Sequence, residues 1–155
     1  MGETAQVHAI GEVKPQTEYI ISLVPPEHCS SIWRDVRKHL SSAVDMSGGR
    51  WSMEYLLAAL VSNEQNLWIA YDDNKVIHGA LTTQLVTYPS TRMMALHFLG
   101  GEDFDGWYKE MLDQVTSFAK KCGCEGLETV ARKGFWKWFE EDGFEREAAF
   151  YDKKF

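Results

Sequence analysis

No stretch of this chain approaches the roughly 20 consecutive apolar residues that a membrane-spanning helix requires, and the N-terminus lacks the basic-then-apolar pattern of a secretory signal. A soluble protein without membrane contact is the expectation. Positive charge is also in short supply. Sixteen Lys and Arg against 23 Asp and Glu leave a formal net charge of −7. That balance argues against broad binding to nucleic acid, because counterion release needs a basic face. Cysteine is scarce too: three residues cannot all pair within one chain, and Cys122 and Cys124 stand too close together to form a framework of staples. Free thiols in a reducing compartment follow. A metal at Cys122-Gly123-Cys124 is disfavoured, since no further Cys or His lies nearby in sequence to complete a tetrahedral set. Internal repeats and low-complexity tracts are absent.

What is present is apolar and aromatic. A chain of 155 residues, 45% hydrophobic and 13% aromatic, is long enough to bury a core and reads as one globular domain. Residues 1–17 are polar, hold Pro15 and show no periodicity, so they read as a flexible N-terminal arm; residues 18–155 form the single folded domain. Residues 19–24 (YIISLV) predict a strand stopped by Pro25 and Pro26. From Glu27 the spacing turns helical, with Cys29, Ile32, Val36, Leu40, Ala43 and Val44 on one stripe. Ser47, Gly48 and Gly49 break it, and Ser52 can cap a second helix whose apolar face is Met53, Leu56, Leu57, Leu60 and Val61. Residues 66–71, 76–88 and 92–99 predict an antiparallel meander, turning at residues 72–75 (DDNK) and at Pro89-Ser90. An acidic loop follows, then a helix capped by Asp105 with Trp107, Met111, Val115, Phe118 and Ala119 as its stripe. Gly123 ends that helix. A buried strand (127–131), a short aromatic helix (134–142) and a last strand (147–155) complete the chain. The order β-α-α-β-β-β-α-β-α-β implies an α+β layout around a mixed sheet.

The stretch 124–144, CEGLETVARKGFWKWFEEDGF, closes its helix with Gly143, suited to the left-handed position past a helix end, and with Phe144, which can fold back on the last turn. This strand, helix and Gly-Phe stop resembles the C-terminal half of the GNAT (Gcn5-related N-acetyltransferase) fold, and the element order is the GNAT order. More narrowly, the blocks SGGR (47–50), NLWIA (66–70), FLGGEDFDGW (98–107) and KKCGCEGLETVARKGFWKWFEEDGF (120–144) resemble a divergent set of small GNAT-like proteins encoded by tailed bacteriophages. The resemblance implies a splayed central sheet that admits acyl-CoA, and a site in the bacterial host cytoplasm or the virion. It also implies protein partners among phage structural components. In the family a Tyr at the place of Phe139 often protonates the leaving thiolate, and a phenyl ring has no proton to give.

The family's phosphate loop reads Arg/Gln-x-x-Gly-x-Gly/Ala; here residues 101–106 read GEDFDG, with Glu102, Asp103 and Asp105 where a pyrophosphate would sit. Each unit repulsion at about 4 Å amounts to ~1 kcal/mol in water and more in a partly desolvated cleft. The loop is therefore either solvated and non-binding, or a modified acetyl-CoA site in which Leu99, Gly100, Gly101 and Gly106 offer backbone groups to the cofactor. For catalysis the candidate residues are His97 as general base, on the face of Met93, Ala95 and Leu99, and Glu128, reached by His97 or Arg92 from the neighbouring strand. A structural network is the competing reading of the same residues, since charges on an inner strand need partners. Trp136 and Trp138 cannot both face the core beside Phe135 and Phe139, so Trp136, flanked by Lys133 and Lys137, is a candidate contact surface for a protein partner. Two functions stand side by side: a GNAT-fold binding or virion component with weakened or lost acetyl-CoA chemistry, and an active N-acetyltransferase on a small-molecule, peptide or lysine amine.

Overall fold

A computed structural model describes residues 17–155, so all but Thr17 of the expected N-terminal arm lies outside the described residues. The order is β1 (Ile20–Val24), α1 (Cys29–Asp45), α2 (Met53–Val61), β2 (Asn66–Tyr71), β3 (Ile77–Thr87), β4 (Arg92–Gly101), α3 (Phe104–Lys121), β5 (Gly126–Thr129) and α4 (Trp136–Glu141). The strands lie side by side in chain order. β1 to β4 are antiparallel, and β5 returns parallel to β4 after the α3 crossover.

Strand alternation sorts the core into two layers. Leu67 and Ile69 of β2 pack with Trp33, Val36, Leu40, Val44, Leu56 and Leu60 under α1 and α2. Trp68 and Ala70 pack on the opposite face with Trp107, Met111, Val115 and Ala119 of α3 and with Phe139 of α4. The buried Trp68 donates from Nε1 to Thr83 Oγ1 at 3.0 Å, so the indole carries no unpaired donor into the core.

Several local signals act as expected. Ser52 accepts from the Tyr55 amide at 3.2 Å and caps α2. Asp72 Oδ1 accepts from the amides of Asn74 and Val76 at 2.8 and 3.0 Å and shapes the β2–β3 turn. Gly143 adopts φ +90°, and the Phe144 amide returns to Phe139 O at 2.9 Å, with the two rings 5.0 Å apart.

Other expectations are corrected. The helix after the acidic loop starts at Phe104, with Asp103 as its N-terminal flank at φ +52°, so Asp105 sits inside the first turn and caps nothing. The expected last strand over residues 147–155 does not form: the segment lies exposed without ladder hydrogen bonds, and Asp152 and Lys154 contact Arg50 and the Gly48 carbonyl in the turn after α1. The expectation that one of Trp136 and Trp138 is exposed also fails, both being half-buried.

Glycine at position 100 lets α1 approach β4 at backbone distance. A Cβ there would lie 2.0 Å from the His39 carbonyl oxygen. We expect Gly100→Ala to lower stability by about 1–3 kcal/mol in urea unfolding, because overpacking forces two elements apart. Gly134→Ala, with no atom within 4 Å, is the matched control and is expected to change little.

Candidate functional site

β4 and β5 part company midway. Their ladder runs from Met93–Gly126 to Leu96–Thr129 and stops, while β4 continues to Gly101 paired only with β3. Thr129 Oγ1 donates to Leu96 O at 2.9 Å, a side chain closing the last rung. Beyond it, residues 97–101 present an edge with no strand partner among the described residues.

At this fork β4 carries a bulge. Thr82 pairs with Phe98 but Thr83 pairs with Leu96, leaving His97 as the extra residue. The Phe98 amide donates to the buried Thr82 hydroxyl at 3.1 Å. The bulge resets the alternation, so His97 and Phe98 stack on the same side, ring centroids 4.0 Å apart, while Leu99 packs towards α3. His97 thus shares a face with Met93 and Ala95 but not with Leu99, which corrects the simple strand reading.

The His97 ring stands edge-on to Trp51 at 5.0 Å, and its Nδ1 lies 2.7 Å from Nε2 of the fully buried Gln65. Gln65 Oε1 is buried without a partner. With the amide donating to Nδ1, the imidazole proton sits on Nε2. Burial holds the His97 pKa below its ordinary value, so the ring is neutral at physiological pH. Gln65 and Trp51 were not singled out from sequence; a Gln in the polar run SNEQN (62–66) carries no local sign that it will be enclosed.

Glu128 does not join this group. Its carboxylate accepts from the Tyr88 hydroxyl at 2.6 Å, and Arg92 turns to the Cys122 carbonyl at 2.9 Å. The expected link from Glu128 to His97 or Arg92 is absent, because β5 ends its pairing one rung before His97.

The loop before α3 is occupied by its own side chains. Asp103 accepts from the Tyr19 hydroxyl, whose pKa burial and this carboxylate push up to about 12. Glu102 Oε1 lies 3.1 Å from His78 Nδ1, and His78 Nε2 lies 2.7 Å from Asp72 Oδ2, whose carboxyl this contact holds below its ordinary range. No Lys or Arg among the described residues pairs with Asp72, Glu102 or Asp103. A Cβ on Gly106 would lie 2.7 Å from Asp103 Oδ2 and 2.8 Å from the Tyr19 ring, so the space beside that glycine is taken. Gly100 faces the α1 backbone, and Gly101 faces the His78 carbonyl.

Aromatic side chains fill the space between α3 and α4. Phe104, the first residue of α3, meets Trp107 at 5.2 Å, Tyr108 at 4.6 Å, Phe135 at 5.5 Å and Trp138 at 5.2 Å. Phe139 is buried against Phe144 and the Tyr108 ring. The Tyr108 hydroxyl is buried and unpartnered, and burial followed by the nearby Asp142 charge raises its pKa. Trp136 donates to Ala131 O at 3.2 Å, the Arg146 guanidinium covers its ring at 4.2 Å, and the Lys133 ammonium lies 5.9 Å from it, whereas Lys137 is exposed. Among the described residues no three metal-ligating side chains converge, and no helix is long and apolar enough to cross a membrane.

Solved structures share this overall fold. The chain superposes on an aminoglycoside acetyltransferase from a soil metagenomic sample with TM-score 0.69, 12% identity, and coverage of 89% of this chain and 99% of the other. The fold is that of the GNAT acetyltransferases. A ribosomal-protein-alanine N-acetyltransferase of Brucella melitensis superposes with TM-score 0.66 and 14% identity over 88% of this chain and 99% of the other. A predicted acetyltransferase of Clostridium acetobutylicum, solved with acetyl-CoA, gives 0.64 and 18% over 88% and 96%. No protein-family model matches the chain, and no curated protein matches it.

The residues of this GNAT-fold chain do not fit acetyl-CoA at its anionic end. An internal carboxylate lies over the first turn of α3, its neighbours are acidic, and Phe104 joins α3 to the Phe135–Trp138 stretch.

The His97 environment makes a pH prediction. Between the ordinary value of 6.5 and its lower folded value, the unfolded chain binds more protons than the folded one. The stability from this group is present above about pH 6.5 and is lost as pH falls through the folded value. Urea midpoints measured from about pH 7.5 down to about pH 5.5 are expected to fall, and His97→Gln to flatten the fall.

Proposed function

We propose that this chain is a binding protein on the GNAT scaffold, with acetyl-CoA chemistry weakened or lost. The observation that carries this reading is the self-occupied anion end: Asp103 beside Gly106 and Tyr19, Glu102 on His78, and Phe104 packed against Phe135 and Trp138. A pyrophosphate there meets carboxylates without a compensating Lys or Arg among the described residues, and Phe139 supplies no proton. The resemblance of the blocks at 47–50, 66–70, 98–107 and 120–144 to GNAT-like proteins of tailed phages supports a phage-encoded component that acts in the host cytoplasm or the virion. Its partner is a protein, met through Lys133 and Lys137 beside the half-buried Trp136, from whose ring Arg146 has to swing away on contact.

The test is a thermal shift with about 1 mM acetyl-CoA. A ligand at 100 times its dissociation constant stabilises by about 2.7 kcal/mol, roughly 5–10 °C for a domain of this size. We expect no shift, and no thiol release above background with mixed amines. A clear rise in melting temperature overturns the reading.

A second reading, an active N-acetyltransferase, is favoured by one arrangement: a neutral, half-buried His97 oriented by Gln65 at the fork of the sheet, where a general base for an amine would stand. If turnover is found, His97→Ala is expected to lower kcat by at least about 100-fold.

A further inference from the structure

Two of the three cysteines stand in the turn that ends α3, where the chain passes to β5. Backbone geometry brings them together. The Gly123 amide donates to Lys120 O at 3.0 Å and the Cys124 amide to Ala119 O at 2.9 Å, with Gly123 at φ +79°, the paired bonds of a Schellman stop. In that motif the residue after the glycine folds back on the last helical turn, which sets the Cys124 side chain over Ala119. Cys122 follows Ala119 by three positions and shares its helix face. Both cysteine side chains are accordingly half-buried against the layer that holds Ala119. Two virtual bonds of about 3.8 Å, folded at a compact glycine, leave their Cα atoms about 5–6 Å apart, inside the range of roughly 4.4–6.8 Å that a disulfide spans. The Cys124 thiol registers its neighbour: burial first, then the charge on Cys122, pushes it up, and Arg92 draws it back down. The Arg92 guanidinium donates to Cys122 O at 2.9 Å and lies 3.5 Å from where a Cβ on Gly123 would stand, so a cation overlies the turn. A cation so placed favours the thiolate that exchange chemistry requires. Cys29 takes no part, being buried in the opposite layer under α1 and α2.

We propose that Cys122 and Cys124 are a reversible redox site, converted by a low-molecular-weight disulfide such as glutathione disulfide to an internal disulfide between the two. The thiolate of one cysteine attacks a sulfur of the small disulfide, forming a mixed disulfide and expelling one small thiolate. The thiolate of the other cysteine attacks the protein sulfur of that mixed disulfide and expels the second. Two protein thiols are oxidised, the small disulfide is reduced to two small thiols, and the two protein protons pass to them. A ring closed over one intervening residue removes little chain entropy, so the bond is readily reduced and acts as a switch instead of a staple. Its position gives it an effect. The Glu125 amide donates to Arg92 O at 2.8 Å and pairing with β4 starts at Gly126, so oxidation fixes the entry of the strand that forms one side of the fork. The acidic loop lies at the other terminus of α3, about 27 Å away at about 1.5 Å per residue, and the redox site does not depend on whether acetyl-CoA binds.

To test this, the full chain is equilibrated with mixtures of reduced and oxidised glutathione, once folded and once unfolded in guanidinium chloride, then acid-quenched and alkylated in denaturant for mass measurement. The oxidised chain is expected to take one alkyl group, at Cys29, and the reduced chain three, with dithiothreitol restoring the reduced state and a peptide map locating the bond. At a given glutathione ratio the folded chain is expected to hold at least about tenfold more ring relative to open dithiol than the unfolded chain, because the fold supplies the proximity. Cys122→Ser and Cys124→Ser are each expected to stop at a mixed disulfide with glutathione on the remaining cysteine of the turn, whereas Cys29→Ser still closes the ring; circular dichroism verifies the fold of each variant. A folded chain that keeps three alkylatable thiols overturns the proposal, as does one that accumulates mixed disulfides at both cysteines without closing. A bond to Cys29 or between copies overturns it too, and so does a ring that folding gives no such advantage.

Discussion

The hydroxyl of Thr82, buried and 3.1 Å from the Phe98 amide, holds β4 in its bulged path, and the character of the site depends on that contact. A bulge leaves one amide without its ladder carbonyl, and an unpaired buried amide costs about as much as a lost hydrogen bond. The threonine side chain removes that cost. With the bulge in place, His97 and Phe98 turn to the same side, Leu99 turns to the other, and the imidazole meets Gln65 and Trp51. The fork between β4 and β5 begins one rung earlier, where Thr129 replaces a backbone bond with a side-chain one.

At the other end of the fork the loop before α3 is filled by the chain's own side chains. A helix N-terminus favours an anion because its first amides are unpaired and its dipole is positive there. In this chain Asp103 lies beside that turn and is itself held by Tyr19, so negative charge is already present. Glu102, His78 and Asp72 extend the cluster towards β3. Phe104 then ties α3 to the Phe135–Trp138 stretch through ring contacts. Aromatic packing and local charge act in the same direction, and neither requires any change in the course of the strands.

Much of the architecture was legible because its causes are local. The two helices after β1, the meander, the Ser52 cap, the Asp72 turn and the Gly143-Phe144 stop each depend on residues within a few positions of one another. His97 was legible as a candidate because an imidazole among apolar neighbours on an inner strand stands out. Gln65 was not, since the side chain it meets, His97 of β4, lies 32 residues away in sequence. Glu128 was noticed for its charge but assigned partners it does not have, because its true partner, Tyr88, lies 40 residues away in sequence, just past the end of β3.

By itself the sequence determined the order and kind of nearly every element, through periodicity and turn chemistry, and it set three acids, Glu102, Asp103 and Asp105, in the loop before α3 and Phe139 in the last helix. Tertiary structure alone decided that His97 sits on a bulge, that Asp103 and Glu102 satisfy Tyr19 and His78, and that residues 147–155 remain outside the sheet. The physical reason is that strand register, buried hydrogen-bond partners and edge pairing are settled between segments far apart in the chain, where no local pattern records which groups will meet.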